Sequence, residues 1–379
     1  MKKKILFVIE SLSGGGAEKI LTTIVKNIDK TKFDVTVLTV VKTGVYVEEV
    51  GKYCKLISIL PDYEKLKSPI AKMKYKLDYK KIYKEDCRKI YHEYIKEEYD
   101  VEIAFVEGFV TKLVASSYNR NSKKYAWIHI DMMENNHADA NYNSIQEEIN
   151  AYKIYNKIFT VSDYVGNIFI KKFGNEFERK VVTQYNPVDS LEIEKKSKEK
   201  LDDEYQAQVK LISIGRLVNQ KGYDRLISVV NKVKNIYDNF EIWILGDGEQ
   251  RGELETYIEQ HQLQSYFKLK GFKNNPYAYI KKADAFICSS RSEGFSTVAT
   301  EALILNKPIF TTDCSGMKEL FGNNKCGIIC ENSTDGILNM LNDILRNPDF
   351  SQYEKQCKER KREFTLEKRM KEVERILDE

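Results

Sequence analysis

Short apolar segments alternate with amphipathic ones along this 379-residue chain, and this alternation limits the possible folds more than any other feature. In the first half, a predicted helix over residues 17–28 follows the first predicted strand. The predicted strands of this half cover residues 4–9, 33–41, 55–60, 101–106, 123–128, 157–161 and 180–185. Strands separated by helices predict a parallel sheet that is covered on both faces.

The alternation stops and then restarts near the middle of the chain. A polar, charged stretch from Ser190 to about Gln208 has no strand pattern and is predicted to be a linker. The strands predicted after it cover residues 209–214, 241–245, 267–269, 283–288, 308–311 and 327–330. Because the chain is too long for one ordinary core, we predict two Rossmann-like α/β domains, 1–190 and 191–359, facing across a cleft. Residues 360–379 have apolar side chains at helical spacing and predict a surface helix.

Composition and charge argue against several classes of protein. The net charge is only +4, which gives no indication of nucleic acid as a partner. No apolar run is long enough to predict a transmembrane helix, and the short basic and apolar start lacks a signal-peptide cleavage site. The closest cysteines, Cys326 and Cys330, have no second pair or nearby histidine to complete a zinc site. We therefore predict free thiols and a cytoplasmic protein.

Two carboxylates eight residues apart, Glu293 and Glu301, are the first candidate functional residues. A helix that begins near Phe295 would place Glu301 on its inner face and leave Glu293 in the preceding loop. The N–H groups at such a helix start form a ready anion site. Carboxylates can bind sugar hydroxyls, and the backbone N–H groups beside them can bind a phosphate. The combination predicts a sugar nucleotide as the ligand. Two glutamates at this spacing also occur on solvated helix faces.

Two cations, Arg216 and Lys221, follow Gly215 at the predicted end of a buried strand. Arg216 offers a planar fork and Lys221 a point charge, and both suit a diphosphate. The alternative is that they are solvated charges at a turn. Because ligands bind beyond the carboxyl ends of parallel strands, the position favours phosphate binding.

Three consecutive glycines, Gly14, Gly15 and Gly16, lie between the first predicted strand and a helix. They allow backbone N–H groups to approach an anion or a sugar closely. They do not form the dinucleotide motif G-x-G-x-x-G, because Lys19 occupies the third glycine position, and the segment that begins at Gly246 also lacks a third glycine. Both facts argue against a nicotinamide-dependent enzyme.

His129 follows the predicted strand 123–128. A lone histidine is more often structural than catalytic. Its position at a strand end, where ligands bind, favours a role in the chemistry.

These motifs together resemble those of retaining family-4 glycosyltransferases, which have the two-domain GT-B fold. The resemblance is carried by the E-x7-E pattern of Glu293 and Glu301, by G-R-x4-K at residues 215–221 and by the triple-glycine loop. It implies transfer of a hexose or N-acetylhexosamine from a nucleotide sugar, with UDP as the expected nucleotide. It also implies that domain 1–190 lies on the acceptor side, that domain 191–359 binds the nucleotide sugar, and that the terminal helix, about 360–379, packs back on the first domain. The residues that it implies are His129, Arg216, Lys221 and Glu293 for catalysis, and Gly15, Gly16, Gly215, Gly246, Gly294, Phe295, Ser296, Thr297, Val298 and Glu301 for substrate binding.

The resemblance also implies a role for each group. Glu301 binds the ribose hydroxyls, Glu293 binds the transferred sugar, and backbone N–H groups of residues 296–298 hold the distal phosphate. No Asp-x-Asp motif occurs in the chain, and metal-dependent transferases use that motif to hold a divalent ion. We therefore predict a site without metal or cofactor, in which protein cations and a helix dipole neutralise the leaving phosphate.

The segment 63–96 is rich in Lys and Tyr, with eleven Lys or Arg and five Asp or Glu. A solvated surface is the ordinary explanation. The alternative is contact with an anionic membrane, because interleaved Tyr side chains suit the depth of the headgroups. That alternative predicts a peripheral location at the inner face of the cell membrane.

The acceptor implied by the resemblance is a glycan or a lipid-linked saccharide in the synthesis of a bacterial capsule or exopolysaccharide. A UDP-sugar 2-epimerase of similar architecture is an alternative, although it needs histidines around the sugar and the chain has only four. A non-catalytic sugar-binding subunit is a third, disfavoured because it has no physical reason to keep a costly cluster of charges.

Overall fold

The computed structural model describes residues 2–134 and 136–379, and the chain divides into two compact units. The first unit runs to Pro187 and also contains Arg369–Glu379, and the second unit is Val188–Lys368. The division lies beside residue 190, where the sequence pattern changes. Each unit is a parallel sheet with helices packed on it.

In the described part of the first unit, seven parallel strands form one sheet, in the order β3-β2-β1-β4-β5-β6-β7. The strands are β1 (Lys3–Ile9), β2 (Phe33–Val41), β3 (Lys55–Leu60), β4 (Val101–Ala104), β5 (Lys123–Ile128), β6 (Lys157–Thr160) and β7 (Val181–Thr183). The strand order reverses between β1 and β4. Loops diverge at such a reversal and leave room for a ligand at the carboxyl ends of the strands.

Helices and 3-10 turns connect these strands. The helices are α1 (Gly16–Asn27), α2 (Val47–Tyr53), α3 (Pro69–Ile82), α4 (Cys87–Tyr94), α5 (Phe109–Ala115), α6 (Ile145–Ile154) and α7 (Asp163–Phe173). The helix α1 packs on the sheet because Ile20, Leu21, Ile24 and Val25 lie on one buried face. The helix α3 is different, since Ile82 is its one buried residue.

The described part of the second unit has a six-stranded parallel sheet in the order β10-β9-β8-β11-β12-β13. The strands are β8 (Val209–Ile214), β9 (Phe240–Leu245), β10 (Phe267–Gly271), β11 (Ala285–Cys288), β12 (Ile309–Thr312) and β13 (Gly327–Cys330). Its helices are α8 (Ser190–Lys196), α9 (Tyr223–Val233), α10 (Arg251–Gln260), α11 (Tyr277–Lys282), α12 (Thr297–Ile304), α13 (Met317–Phe321), α14 (Thr334–Arg346) and α15 (Ser351–Arg360). Here the strand order reverses between β8 and β11.

The last helix, α16 (Leu366–Asp378), starts in the second unit and ends in the first. Its buried side chains are Arg369, Met370, Val373, Ile376 and Leu377. Two hydrogen bonds join it to the start of the chain: Lys3 Nζ donates to the Asp378 carbonyl at 2.8 Å, and the Asp29 N–H donates to Glu374 Oε1 at 2.8 Å.

The two parallel sheets confirm the predicted fold class, and five of the predicted strands have the predicted bounds. The linker prediction for 190–208 is wrong, because this segment belongs to the second unit and begins with α8. The Asp189 side chain accepts a hydrogen bond from the Glu192 N–H at 2.9 Å and caps α8. Ile193 is buried, and α8 packs against α11 and α12.

Two further properties bear on the predicted location. Over residues 2–134 and 136–379, no helix combines the length and the apolar character needed to cross a membrane. All seven cysteines are free thiols, and five of them are buried.

Candidate functional site

In the second unit, the loops that follow β8 and β11 are joined at the point where the strand order reverses. The Arg291 N–H donates to the Gln220 carbonyl at 2.7 Å, and Gln220 Nε2 donates to the Ser292 carbonyl at 3.0 Å. Ser289 Oγ donates to the Lys221 carbonyl at 2.9 Å. The two loops therefore hold the predicted residues Lys221 and Glu293 in a fixed relation.

Lys221 and Glu293 form an ion pair, with Nζ and Oε1 2.7 Å apart. Ser290 Oγ donates to the same carboxylate oxygen at 2.6 Å. Burial alone would lower the pKa of Lys221, but the adjacent Glu293 carboxylate raises it above its ordinary value overall. The side chains are 21% and 10% exposed, so solvent reaches a charged pair at the edge of the sheet.

Arg216 occupies the same edge but in a different environment. Its side chain is exposed, and it has no hydrogen-bond or ion-pair partner among the residues that the structure describes. Its carbonyl accepts from the Val218 N–H at 2.9 Å, which tightens the turn after β8. The guanidinium is therefore available to an anion without first breaking an internal contact.

The glycines of these loops allow backbone to approach backbone. A Cβ on Gly246, whose φ is +142°, would lie 2.0 Å from the Gly215 carbonyl oxygen. A Cβ on Gly215 would lie 3.1 Å from Cε of Lys221. Sequence reasoning missed Gly248, where a Cβ would lie 2.5 Å from the Leu217 carbonyl oxygen. Close approach of the loops after β8 and β9 is thus a structural reason for these glycines, apart from any contact with a ligand.

The helix predicted to begin near Phe295 is α12, which begins two residues later, at Thr297. Ser296 is its N-cap, with Oγ accepting from the Ala299 N–H at 3.3 Å. The N–H groups of Thr297 and Val298 lie in the first turn, where a helix provides no acceptor for them. The ring of Phe295, by contrast, is buried 5.8 Å from the ring of Phe364, so only its backbone can face a ligand in this arrangement.

Glu301 lies on the inner face of α12, as the spacing predicts. It is 1% exposed, and the Tyr277 hydroxyl donates to Oε1 at 3.5 Å. A sugar hydroxyl that binds Oε1 of this carboxylate would share that oxygen with Tyr277.

In the first unit, the triple-glycine loop lies at the carboxyl end of β1. Gly15 is the N-cap residue of α1, and its φ of −74° is open to any residue. A Cβ there would lie 2.4 Å from Oε2 of Glu18, a flexible side chain. Gly14 of the same loop is constrained, because its φ is +110°. Gly44 in the neighbouring loop is constrained too, because a Cβ there would lie 1.9 Å from the Leu12 carbonyl oxygen. Gly16 is the first residue of α1, and its role in substrate binding stays a prediction.

His129 follows β5 in the first unit, and its ring packs among aromatic side chains. The ring lies 6.2 Å from Trp127 in a stacked arrangement and 5.0 Å from Phe105. Burial lowers the pKa of His129 to about 3, against the opposing hydrogen bond with the Phe105 backbone. Nε2 is buried without a hydrogen-bond partner in the described part of the chain. The imidazole is therefore neutral.

Glu107, whose segment Glu107-Gly108 also resembles a cleft segment of the family, holds the backbone at His129. Its Oε1 accepts from the N–H groups of His129 and of Ile130, the second at 3.2 Å. Burial raises the pKa of Glu107 to about 7, although these backbone hydrogen bonds oppose the shift. In the sequence, the signal for this residue is an acidic side chain, Glu107, shortly after the end of the buried strand β4.

The site residues thus fall into two sets. His129, Gly15 and Gly16 belong to the first unit, and the other predicted residues belong to the second. Among the described side chains, no group of three or more His, Cys, Asp or Glu could hold a metal ion.

Two parallel sheets with these loops at their carboxyl edges define the class of protein, which is the GT-B fold. Among solved structures, Anabaena Alr3699/HepE in complex with UDP is similar, with a TM-score of 0.75, 17% identity and 99% coverage of both chains. A mutant S. aureus TarM in complex with UDP has a TM-score of 0.71, 16% identity and 100% coverage of both chains.

Sequence comparison is more specific for the second unit. Residues 193–364 match the family model of glycosyl transferases group 1. The chain is 28% identical over 357 residues to a Campylobacter jejuni enzyme, N-acetylgalactosamine-N,N'-diacetylbacillosaminyl-diphospho-undecaprenol 4-alpha-N-acetylgalactosaminyltransferase, with coverage of 90% of this chain and 91% of the relative. It is 31% identical over 210 residues to the uncharacterized glycosyltransferase MJ1059 of Methanocaldococcus jannaschii, and spans about half, 51%, of that relative. The whole chain thus has the GT-B fold, and residues 193–364 are similar to glycosyl transferases group 1.

Proposed function

We propose that this protein is a retaining glycosyltransferase of family 4. It transfers a hexose or N-acetylhexosamine from a UDP-linked sugar to a glycan or to a lipid-linked saccharide. The observation that carries the proposal is the Lys221–Glu293 ion pair at the reversal of strand order in the second sheet. This pair supports the proposal because a cation suits a phosphate and a carboxylate suits sugar hydroxyls, and Glu293 lies in the loop just before α12.

The nucleotide is proposed to lie along the carboxyl edge of the second sheet. Arg216, which is exposed and unpartnered among the described residues, binds the diphosphate with Lys221. The first-turn amides of α12 bind the distal phosphate. Glu301 accepts hydrogen bonds from the ribose hydroxyls, and Glu293 accepts them from the transferred sugar.

The proposed reaction needs neither a metal ion nor a cofactor. Arg216, Lys221 and the dipole of α12 stabilise the charge that develops on the departing diphosphate. An oxygen of that diphosphate takes the proton of the acceptor hydroxyl, so no side chain has to act as a general base. His129 is proposed to bind the donor sugar as a neutral imidazole, which suits hydrogen bonding to a hydroxyl.

The names of similar proteins support the choice of donor and acceptor. The Campylobacter jejuni relative acts on a saccharide linked to diphospho-undecaprenol, and the Anabaena structures contain UDP and UDP-glucose. We therefore propose a lipid-linked acceptor in the synthesis of a bacterial cell-surface polysaccharide. This acceptor agrees with a cytoplasmic protein that contacts the inner face of the cell membrane through residues 63–96.

A screen of nucleotide sugars without acceptor tests the proposal directly. We expect slow release of UDP from one UDP-sugar, unchanged by EDTA and at least about a hundredfold slower in Glu293→Gln, as for the loss of a preorganised group. The control variant is Glu331→Gln, which changes an exposed carboxylate elsewhere in the second unit. Formation of an epimerised UDP-sugar, or activity that EDTA removes and manganese restores, would contradict it.

A further inference from the structure

Three of the seven cysteines lie at the carboxyl edge of the second sheet, and the proposed mechanism uses none of them. Cys288 is the last residue of β11, Cys314 lies two residues beyond β12, and Cys330 is the last residue of β13. These three strands are adjacent in the sheet. Because parallel strands end at the same edge, the thiols share the edge at which Lys221 and Glu293 form their ion pair.

Two of these thiols, those of Cys288 and Cys314, are neighbours. In the pairing of β11 with β12, Cys288 lies opposite Thr311. Beyond the strands, Thr312 Oγ1 donates to the Ser290 carbonyl at 2.6 Å, and the Cys314 N–H donates to the Thr312 carbonyl at 2.8 Å. The Cys314 thiol comes within hydrogen-bonding reach of the Cys288 sulfur. The pair therefore meets the first requirement for a disulfide, which is close approach of the two side chains.

Ser290 connects the thiol pair to the proposed nucleotide site. The Cys288 thiol donates to Ser290 Oγ at 3.3 Å, and Ser290 Oγ donates to Glu293 Oε1 at 2.6 Å. The same carboxylate oxygen lies 2.7 Å from Nζ of Lys221. A covalent change at Cys288 therefore acts on the hydrogen bond that orients Glu293, and through Glu293 on the position of Lys221.

A cysteine reacts with an oxidant when its thiolate forms and the oxidant can reach it. The hydrogen bond with Cys314 lowers the pKa of Cys288 below its ordinary value, although burial opposes the shift. Cys288 and Cys314 are 4% and 7% exposed, whereas Cys326 and Cys357 are both 0% exposed. Cys326 precedes β13 and so lies at the opposite, amino edge of the sheet. This second, fully buried set of thiols is an internal comparison for the first.

We propose that Cys288 and Cys314 form an oxidation site whose disulfide weakens nucleotide binding at the Lys221–Glu293 pair. The effect on the nucleotide, though not the disulfide itself, rests on the proposed function. The oxidant is hydrogen peroxide, which is small and uncharged. The Cys288 thiolate attacks one peroxide oxygen, the O–O bond breaks, and the departing hydroxide takes a proton to become water.

The second step closes the disulfide. The Cys314 thiol loses its proton and attacks the sulfur of the sulfenic acid at Cys288, and the S–O bond breaks with release of a second water. The two sulfurs are oxidised, and the peroxide is reduced to two waters. A dithiol reductant reverses the change by thiol–disulfide exchange.

Peptide mass spectrometry of the full chain after peroxide treatment tests the disulfide without any nucleotide. We expect a bond between Cys288 and Cys314 that dithiothreitol removes. Cys314→Ala should instead accumulate sulfenic acid at Cys288, which dimedone traps, because the second thiol is missing. The matched control is Cys357→Ala, which should form the Cys288–Cys314 bond as the wild type does.

Calorimetry with UDP measures the effect on the site. Oxidation of the wild type should lower its affinity for UDP at least about tenfold, because the ion pair that holds Lys221 is displaced. Dithiothreitol should restore the affinity. Cys314→Ala should bind UDP as the reduced wild type does and should keep that affinity after peroxide, whereas Cys357→Ala should lose it.

The two measurements distinguish failure of this proposal from failure of the proposed function. Absence of the disulfide, or a bond from Cys314 to Cys330 in its place, would overturn the oxidation site. A Cys288–Cys314 disulfide that leaves the affinity for UDP unchanged would overturn its effect on the nucleotide. A reduced wild type that does not bind UDP would contradict the proposed function and that effect with it, while the mass spectra still decide whether the disulfide forms.

Discussion

The Lys221–Glu293 ion pair combines a stabilising and a proposed catalytic role, and a double-mutant cycle separates them. Lys221→Met leaves the Glu293 carboxylate largely buried without its partner, and we expect a loss of about 3 kcal/mol in the free energy of unfolding. Adding Glu293→Gln should restore part of that loss, because the unpaired charge is removed. Transfer activity should be lost in Lys221→Met, in Glu293→Gln and in the double variant. Urea denaturation and UDP release measure the two effects, and full additivity of the stability changes would contradict the coupling.

Arg216 offers the opposite case, a proposed catalytic cation without an internal partner in the described residues. Arg216→Ala should lower the rate of the chemical step by about 2–4 kcal/mol of barrier. The free energy of unfolding should change by no more than about 0.5 kcal/mol, because the side chain is exposed. Arg346→Ala, at an exposed end of α14, is the control for both measurements. An unchanged turnover rate would remove Arg216 from the mechanism.

Glu107 gives the first unit a stability that depends on pH. Burial raises the pKa of Glu107 to about 7 from 4.5, so folding opposes its ionisation. This contribution is fully favourable below the ordinary pKa and is lost as the pH rises through about 7. Glu107→Gln keeps an oxygen that accepts from His129 and Ile130, and removes the ionisation.

We therefore expect Glu107→Gln to be more stable than the wild type by about 1–2 kcal/mol at pH values above the folded pKa. The difference should shrink as the pH falls from about 7 to 4.5 and vanish below 4.5, where the wild-type carboxyl is neutral in both states. Urea denaturation over a pH series measures it, with the exposed Glu178→Gln as control. A difference that does not change with pH would show that this ionisation has no part in stability.

At the residue scale, the sequence predicts the positions of residues that follow a local periodicity. It does not predict contacts that depend on the packing of distant segments. The position of Glu301 on the inner face of α12 follows from helical periodicity alone. The role of Glu107 depends on β4 and β5 lying side by side, which no local pattern expresses. Phe295 shows the same limit, because its partner Phe364 is far away in the sequence.

At the scale of elements, the turn between β8 and α9 depends on Gly222. Its φ is +64°, and a Cβ there would lie 2.2 Å from the Ser289 carbonyl oxygen. Gly222→Ala should therefore cost about 3 kcal/mol, from strain in the left-handed conformation and from displacement of the loop after β11. The same displacement should weaken UDP binding, since Lys221 is the adjacent residue.

Gly252→Ala is the matched control for that prediction. Gly252 lies in α10, and a Cβ there would meet nothing within 4 Å. Alanine should stabilise the helix by about 0.5–1 kcal/mol, because it loses less conformational entropy than glycine on folding. Thermal unfolding distinguishes the two variants, and similar melting temperatures would contradict the account of the turn.

The helix α8 explains why the sequence pattern failed between residues 190 and 208. The segment is polar and charged, and Ile193 is the one residue of α8 that is buried. A single buried side chain gives too little periodicity to predict a helix. The cap at Asp189 and the contacts with α11 and α12 stabilise the helix instead.

For the whole molecule, the alternation of strands and helices was sufficient to predict two parallel sheets. It could not supply the strand order, because order depends on contacts between distant segments, as where β1 pairs with β4. The adjacent positions of β8 and β11 in the sheet bring Lys221 to Glu293. The local motifs therefore indicate which residues form the site, and the strand order brings those residues together.

Hydrogen exchange of the whole protein tests where the nucleotide binds. Saturating UDP should slow exchange at residues 215–222 and 290–301 of the second unit, because ligand binding stabilises the state that binds it. Exchange over α3 should not change in the absence of lipid. Glu301→Ala should remove the protection if that carboxylate binds the ribose. Protection confined to the first unit would contradict the proposed site.

The helix α16 makes the first unit discontinuous in sequence, and this has a consequence for biosynthesis. The ribosome produces the whole of Val188–Lys368 before it reaches Arg369–Glu379. Until then, the nascent first unit lacks the helix whose buried Met370, Val373, Ile376 and Leu377 complete it. The first unit can therefore be completed only after the second unit has been synthesised, and until then the surface that these side chains cover is exposed.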